Sequence, residues 1–148
     1  IKALDENRII RGEVINQQQV NFSIEVPANA QNLKATLVWT DLPATPNAPS
    51  ALVNDLDFSM LTPEDAMLLP WVLIASPQLS SLQAPAQRGT DHINNVEQIT
   101  IDNLTQGTYT LSVKAHGVLQ GSQSFFIVYA WDTKETFEWL YPTASDHM

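Results

Sequence analysis

Carboxylate and amide side chains are concentrated at three places in this sequence, each beside a predicted strand end. They are position 41, the segment 54–57 and the segment 91–97. Calcium takes about six to eight oxygen ligands, from carboxylates, amide groups and backbone carbonyls. The candidate ligands for a calcium ion are therefore Asp41, Asn54, Asp55, Asp57, Asp91, Asn94, Asn95 and Glu97.

Strand phase predicts that two of these acids face the core side of the sheet. Asp41 and Glu97 each continue the inward-facing phase of the apolar residues in their own strand. A carboxylate that faces a core must be paired, hydrogen-bonded or bound to a metal. The alternative without calcium is that Asp55 and the two asparagines after His92 form Asx turns, while Asp41 and Glu97 accept hydrogen bonds from loop amides or Arg88.

No set of residues in the sequence matches a known catalytic signature. A hydrolase of the serine type needs a nucleophile, a base and an oxyanion donor. The three histidines, His92, His116 and His147, lie in no such pattern, and no glycine-rich phosphate loop, G-x-S-x-G or H-E-x-x-H segment occurs. The sequence therefore predicts no catalytic residues, and each histidine is interpreted as an ordinary surface residue.

Charge and composition exclude several kinds of partner. Acidic residues number 16 against 7 Lys and Arg, for a net charge of -9, and the basic residues are scattered along the chain. Nucleic acids and anionic membrane surfaces are poor partners for such a surface. There is no cysteine, which excludes disulfides and thiolate metal sites, and no apolar run approaches the ~18 residues of a membrane span.

Alternation with a period of two predicts the strands that must position the oxygen-rich segments. The clearest case runs from Tyr109 to Ala115, where every second residue is apolar. The predicted strands cover 9–15, 20–26, 33–40, 56–60, 71–75, 99–101, 109–115 and 125–131. With no convincing helix, this pattern indicates an all-β fold, a jelly-roll-like antiparallel β-sandwich of about eight strands.

Two predicted strands are continuous apolar runs, and two connections between strands are long. The run 71–75 is compatible with a strand covered on both faces, and the run 125–131, which is apolar on both phases, predicts a central strand. The connection 42–50 is rich in proline and is expected to be an extended surface loop. The connection 76–90 is long enough to suggest a functional or mobile loop.

The last sixteen residues differ from the rest of the chain. Phe137, Trp139 and Tyr141 alternate and predict one further edge strand, and the residues after them resemble a linker. We therefore expect a β-sandwich domain over 1–132, followed by an edge strand and a linker toward a further domain over 133–148. The chain is expected to begin and end within a longer protein.

Four segments occur here in an order that resembles a known family. They are 37–41 (LVWTD), 51–58 (ALVNDLDF), 94–97 (NNVE) and 107–113 (GTYTLSV). This order is similar to the β-sandwich domain that follows the catalytic domain in secreted bacterial subtilisin-like serine proteases. That domain resembles in architecture the P domain of kexin and furin-type convertases, and the resemblance covers 9–131.

The resemblance implies a function as well as a fold. It implies a non-catalytic accessory domain, secreted or at the cell surface, which stabilises a protease catalytic domain in cis and in some relatives binds calcium. The catalytic segments of subtilases do not occur here, because no H-G-T-H or G-T-S sequence is present. We expect a monomer with no nucleic-acid and no membrane partner.

Two other functions are compatible with a β-sandwich. One is a module that binds carbohydrate or another surface ligand, since jelly rolls include lectins and exposed aromatic rings stack on sugars. The other is a purely structural spacer. Exposure of Trp71 and Trp139 on one face would favour the carbohydrate function, and their burial would remove its main support.

Overall fold

The computed structural model describes residues 6–134, which form two antiparallel four-stranded sheets and a small two-stranded ribbon. The strands are β1 (Ile9–Ile15), β2 (Gln19–Val26), β3 (Ala30–Trp39), β4 (Asp55–Leu61), β5 (Met67–Leu68), β6 (Trp71–Val72), β7 (Gln87–Arg88), β8 (Val96–Ile101), β9 (Gly107–Gly117) and β10 (Ser122–Thr133). One short helix, α1 (Leu79–Leu82), lies between β6 and β7.

The strand order is that of a jelly roll. The first sheet has the order β1-β10-β3-β8, the second has the order β2-β9-β4-β5, and β6 pairs with β7. The consecutive strands β1 to β4 alternate between the two large sheets, and so do β8 to β10. This is the double Greek-key arrangement of jelly rolls. The prediction of an all-β antiparallel sandwich is therefore confirmed.

The core lies between the two sheets and follows the alternation in the sequence. In β9, Tyr109, Leu111, Val113 and Ala115 are buried, while the intervening side chains are half-buried or exposed. The opposing sheet contributes, among others, Trp39 at the end of β3. Its indole Nε1 donates a hydrogen bond of 2.9 Å to the backbone oxygen of Asn54, so the buried polar group is satisfied. Burial of each large apolar side chain stabilises the fold by about 1.5–3 kcal/mol. The packing of these side chains fixes the strand registers that position the acids.

The prediction of a strand over 71–75 with both faces covered was wrong. Only Trp71 and Val72 are in a strand, and the pair lies in the small ribbon. The side chain of Leu73 is 69% exposed and that of Ile74 is 46% exposed. A short apolar run with no alternation is compatible with a core strand and equally with an apolar surface segment. Here it is the surface segment.

The two long connections behave differently from each other. Residues 42–50 contain no strand or helix, as the proline content predicts. The connection 76–90 contains α1 and β7, so the expectation of no helix is corrected by one helical turn that buries no residue. The central position of β10, between β1 and β3, agrees with its prediction. The predicted edge strand at Phe137 to Tyr141 lies outside the described residues, and the domain boundary after 132 stays a prediction.

Candidate functional site: an acidic cluster with two histidines

The candidate site lies where β8 of one sheet approaches β4 of the other. β4 pairs with β5 only at Met60 and Leu61, so the preceding part of β4 has no strand on that side among residues 6–134. Glu97 extends inward from β8, and its Oε2 accepts a hydrogen bond of 2.8 Å from the backbone N–H of Phe58. The carboxylate thus joins the two sheets, and its side chain is buried, with 2% of its surface exposed.

The second oxygen of Glu97 gives the site its electrostatic character. Oε1 is buried and has no hydrogen-bond partner among the described residues. Burial is the main cause that raises the pKa of Glu97 to about 9; the nearby carboxylates of Asp57, Asp91 and Asp55 contribute to this rise, and the Phe58 N–H opposes it. Glu97 is therefore protonated at neutral pH unless a cation compensates its charge.

Asp41 is committed to holding the loop that precedes β4. Its Oδ1 accepts hydrogen bonds of 2.8 Å from the backbone N–H groups of both Leu42 and Asn54. Its Oδ2 accepts a hydrogen bond of 2.7 Å from the N–H of Val53. Three charge-assisted bonds to one carboxylate fix the distance between the end of β3 and the start of β4. Asp41 therefore accepts hydrogen bonds from loop amides, as the alternative without calcium predicts.

We expect Asp41→Ala to destabilise the domain by about 1–3 kcal/mol, because the N–H groups of Val53 and Asn54 lose their acceptor. Asp41→Asn keeps one acceptor oxygen and should cost less. Urea unfolding measures both values. The loss should be the same in millimolar calcium and in excess EDTA, since the oxygens are occupied by N–H donors. A loss seen only in calcium would instead make Asp41 a metal ligand.

The amide side chains and Asp91 are also engaged in local hydrogen bonds. Asn54 donates from Nδ2 to Gln123 Oε1 at 2.8 Å and accepts from the N–H of Leu119 at 3.1 Å. Asp91 accepts bonds from the backbone of the following residues and from the side chain of Asn94 at 2.7 Å. Asn95 donates to the backbone oxygen of Trp39 at 2.8 Å. These four residues fix the loop ends, and their polar atoms are largely occupied.

Asp55 and Asp57 are the two remaining acids, and both lie beside histidines. His92 Nδ1 is 2.7 Å from Asp55 Oδ2 and 3.8 Å from Asp57 Oδ1. His116 Nδ1 is 3.6 Å from Asp57 Oδ2, and the two imidazole rings have centroids 4.5 Å apart. Burial raises the pKa of Asp55, although its hydrogen bond with His92 opposes this shift. One oxygen of each aspartate, Oδ1, is buried without a hydrogen-bond partner among the described residues.

A β-bulge brings His116 to this cluster. Asp55 pairs with Gly117 and Leu56 pairs with Ala115, so His116 is an extra residue in β9 opposite the start of β4. A bulge of this kind redirects a side chain and often lies next to a functional site. His92 arrives separately, from the loop before β8.

The structure thus divides the eight predicted residues into two groups. Five of them hold loops by hydrogen bonds: Asp41, Asn54, Asp91, Asn94 and Asn95. Three retain a buried oxygen without a partner among residues 6–134: Asp55, Asp57 and Glu97. His92 and His116 are exposed, as expected for surface residues, but each also lies beside an aspartate of this cluster. Arg88, which was a predicted donor to the inward acids, instead donates to the backbone oxygens of Leu69 and Thr100.

Comparison with known proteins finds two relatives whose names include a serine protease. The chain is 29% identical over 118 residues to the serine protease/ABC transporter B family protein tagA of Dictyostelium discoideum, and 32% identical over 105 residues to tagB of the same organism. The matches include 78% and 71% of this chain, but the chain spans only 6% and 5% of the length of these relatives. No known protein family matches the chain.

Comparison with solved structures supports the fold. Lipase BlEst2 of Bacillus licheniformis, solved in its propeptide form, superposes with a TM-score of 0.50 over 84% of this chain and 21% of that chain, at 10% identity. The pre-peptidase C-terminal domain of collagenase from Bacillus anthracis gives a TM-score of 0.47 at 13% identity, over 82% of this chain and 87% of that chain. At 10% identity, the likeness to the lipase concerns the fold alone and shows nothing about activity.

Taken with the sandwich architecture, the two relatives fit a protease-associated β-domain. Within residues 6–134, the side chains of His92 and His116 contact Asp55, Asp57 and each other rather than a serine or threonine hydroxyl. No helix among the described residues has the length and apolar character needed to cross a membrane.

Proposed function

We propose that this chain is a non-catalytic accessory domain of a secreted subtilisin-like serine protease, and that it stabilises the catalytic domain in the same polypeptide. The observation that carries the proposal is the similarity over 105–118 residues to two proteins named as serine proteases. The four ordered segments that resemble the domain after subtilisin-like catalytic domains support the subtilisin-like parent.

An exposed apolar segment supports a contact between domains. Among residues 6–134, twelve large hydrophobic residues are exposed, and six of these lie between positions 67 and 82: Met67, Trp71, Leu73, Ile74, Leu79 and Leu82. Concentration of apolar side chains on a monomer surface is typical of an interaction site. Interfaces between domains of one chain are usually of moderate size and partly polar. We propose that this segment, 67–82, packs against the catalytic domain.

We expect the double substitution Leu73→Ser and Ile74→Ser to speed thermal inactivation of the full-length protease about three- to tenfold, because it removes apolar area from the proposed contact. The melting temperature of the isolated chain should stay nearly constant, since both side chains are exposed. Leu119→Ser is the matched control, because Leu119 is 73% exposed but lies outside the segment. Equal inactivation rates for the double variant and the unsubstituted protease would remove segment 67–82 from the interface.

Calcium binding stays a prediction. Its direct ligands would be the unpartnered oxygens of Asp55, Asp57 and Glu97, because the other predicted ligands are engaged in hydrogen bonds. Three carboxylates leave several of the roughly six to eight positions of calcium to water or backbone.

The carbohydrate-binding alternative receives mixed support. Trp71 is 44% exposed, which a stacking platform requires. However, the guanidinium of Arg88 lies 3.9 Å from the centre of its ring, and its Nε1 donates to Thr100 at 2.8 Å. One face of the ring is therefore occupied. Trp139 lies outside the described residues, and its part in the prediction stays untested.

A further inference from the structure

We propose that His92, His116 and Asp55 bind a divalent ion of the zinc class, with Asp57 as a fourth ligand. The proposal concerns the isolated chain and does not depend on a protease partner. The potential ligand atoms of His92, His116 and Asp55 all lie within 4.8 Å of one another. Two nitrogens and one or two carboxylate oxygens match the ligand number of a zinc site.

The distances are close to those of a bound site. Ligands at ~2.0–2.1 Å from a tetrahedral zinc ion are about 3.4 Å apart. His92 Nδ1 and Asp55 Oδ2 are closer than this, at 2.7 Å, and His116 Nδ1 and Asp57 Oδ2 are near it, at 3.6 Å. Because all the separations are within 4.8 Å, none exceeds the tetrahedral value by more than about 1.4 Å. The imidazoles can make this adjustment, since the two side chains are 45% and 56% exposed.

Two independent features distinguish this cluster from an ordinary set of surface ion pairs. The first is that Asp55 and Asp57 each keep a buried oxygen with no hydrogen-bond partner among residues 6–134. The second is that the imidazoles lie against each other, with centroids 4.5 Å apart. A single ion would bind both nitrogens and compensate the carboxylates.

The ligand types favour zinc over calcium at this position. Imidazole nitrogen suits zinc, copper and nickel, whereas calcium prefers hard oxygen ligands. The β-bulge that carries His116 and the loop that carries His92 both direct nitrogen ligands toward the acids of β4.

The test is isothermal titration of the metal-free 148-residue chain with zinc chloride, repeated with calcium chloride. We expect one zinc ion per chain and binding at least 100-fold weaker for calcium. His92→Ala and His116→Ala should each weaken zinc binding at least about tenfold, by loss of a nitrogen ligand. Asp55→Asn should also weaken it. His147→Ala is the matched control for non-specific binding by a histidine, and it should leave the affinity unchanged.

Several results would overturn the proposal. Zinc binding that persists in the His92→Ala, His116→Ala double variant would do so, as would an equal loss of affinity in His147→Ala. No binding at one ion per chain would also do so. Calcium affinity equal to that of zinc and unaffected by either histidine would overturn it too, and would favour the carboxylate calcium site. Circular dichroism of each variant confirms that the fold is retained, because both histidines are exposed.

Discussion

In the presence of EDTA, the free energy of unfolding should fall steadily between pH 5 and pH 9, and Glu97→Gln should remove most of this fall. The pKa of Glu97 is raised from 4.5 to about 9 in the folded chain, mainly by burial. Between these values the folded chain holds a proton that the unfolded chain has released. The stabilising contribution of Glu97 is therefore fully present below its unfolded pKa and is lost as the pH rises through its folded pKa.

The expected loss is large because the separation of the two pKa values is large. Each pKa unit corresponds to about 1.4 kcal/mol, so the loss approaches roughly 3–6 kcal/mol at the alkaline end. Asp55, whose pKa is also raised, contributes in the same direction. Urea unfolding at a series of pH values measures the effect.

Glu97→Gln is the informative substitution because glutamine keeps an oxygen to accept the Phe58 N–H but does not ionise. The variant should be more stable than the original chain at pH 9. Glu25→Gln is the matched control, since Glu25 is exposed on β2, and it should leave the pH dependence unchanged. A flat profile for the original chain, or a Glu97→Gln variant with an undiminished slope, would contradict the assignment of this buried carboxyl.

The sequence predicts those features that depend on strand phase. The alternation of Ile99 and Ile101 places Glu97 on the inner side of its strand, and the structure finds its side chain buried. Phase also brings Asp41 toward the core side, but β3 ends at Trp39. The acid therefore lies half-buried in the following loop, where it accepts backbone hydrogen bonds.

Features that depend on contacts between distant segments could not be predicted from strand phase. The strands β5 and β7 are two residues long and exist only because a partner is adjacent. The apolar run 71–75 has no alternation, so its sequence does not distinguish a core strand from an exposed segment.

The histidine cluster depends on the pairing of β4 with β9 and on the bulge in β9. His92 and His116 are far apart in sequence, and neither belongs to a metal-binding motif. The register that brings them to Asp55 and Asp57 follows from packing of the core residues on the other face of the same strands. The sequence signal available was the combination of two acids at alternate positions in β4 and a histidine at the end of β9.

We propose that this domain stabilises a protease catalytic domain in cis. The most direct measurement is the rate of thermal inactivation of the full-length protein with and without the domain, assayed on a small peptide substrate. We expect removal to leave the initial peptidase activity largely intact and to speed inactivation at least about tenfold, which corresponds to a loss of roughly 1.4 kcal/mol. Addition of the separate 148-residue chain should restore part of the lifetime. Equal inactivation rates with and without the domain, or a parent protein with no peptidase activity, would contradict the claim.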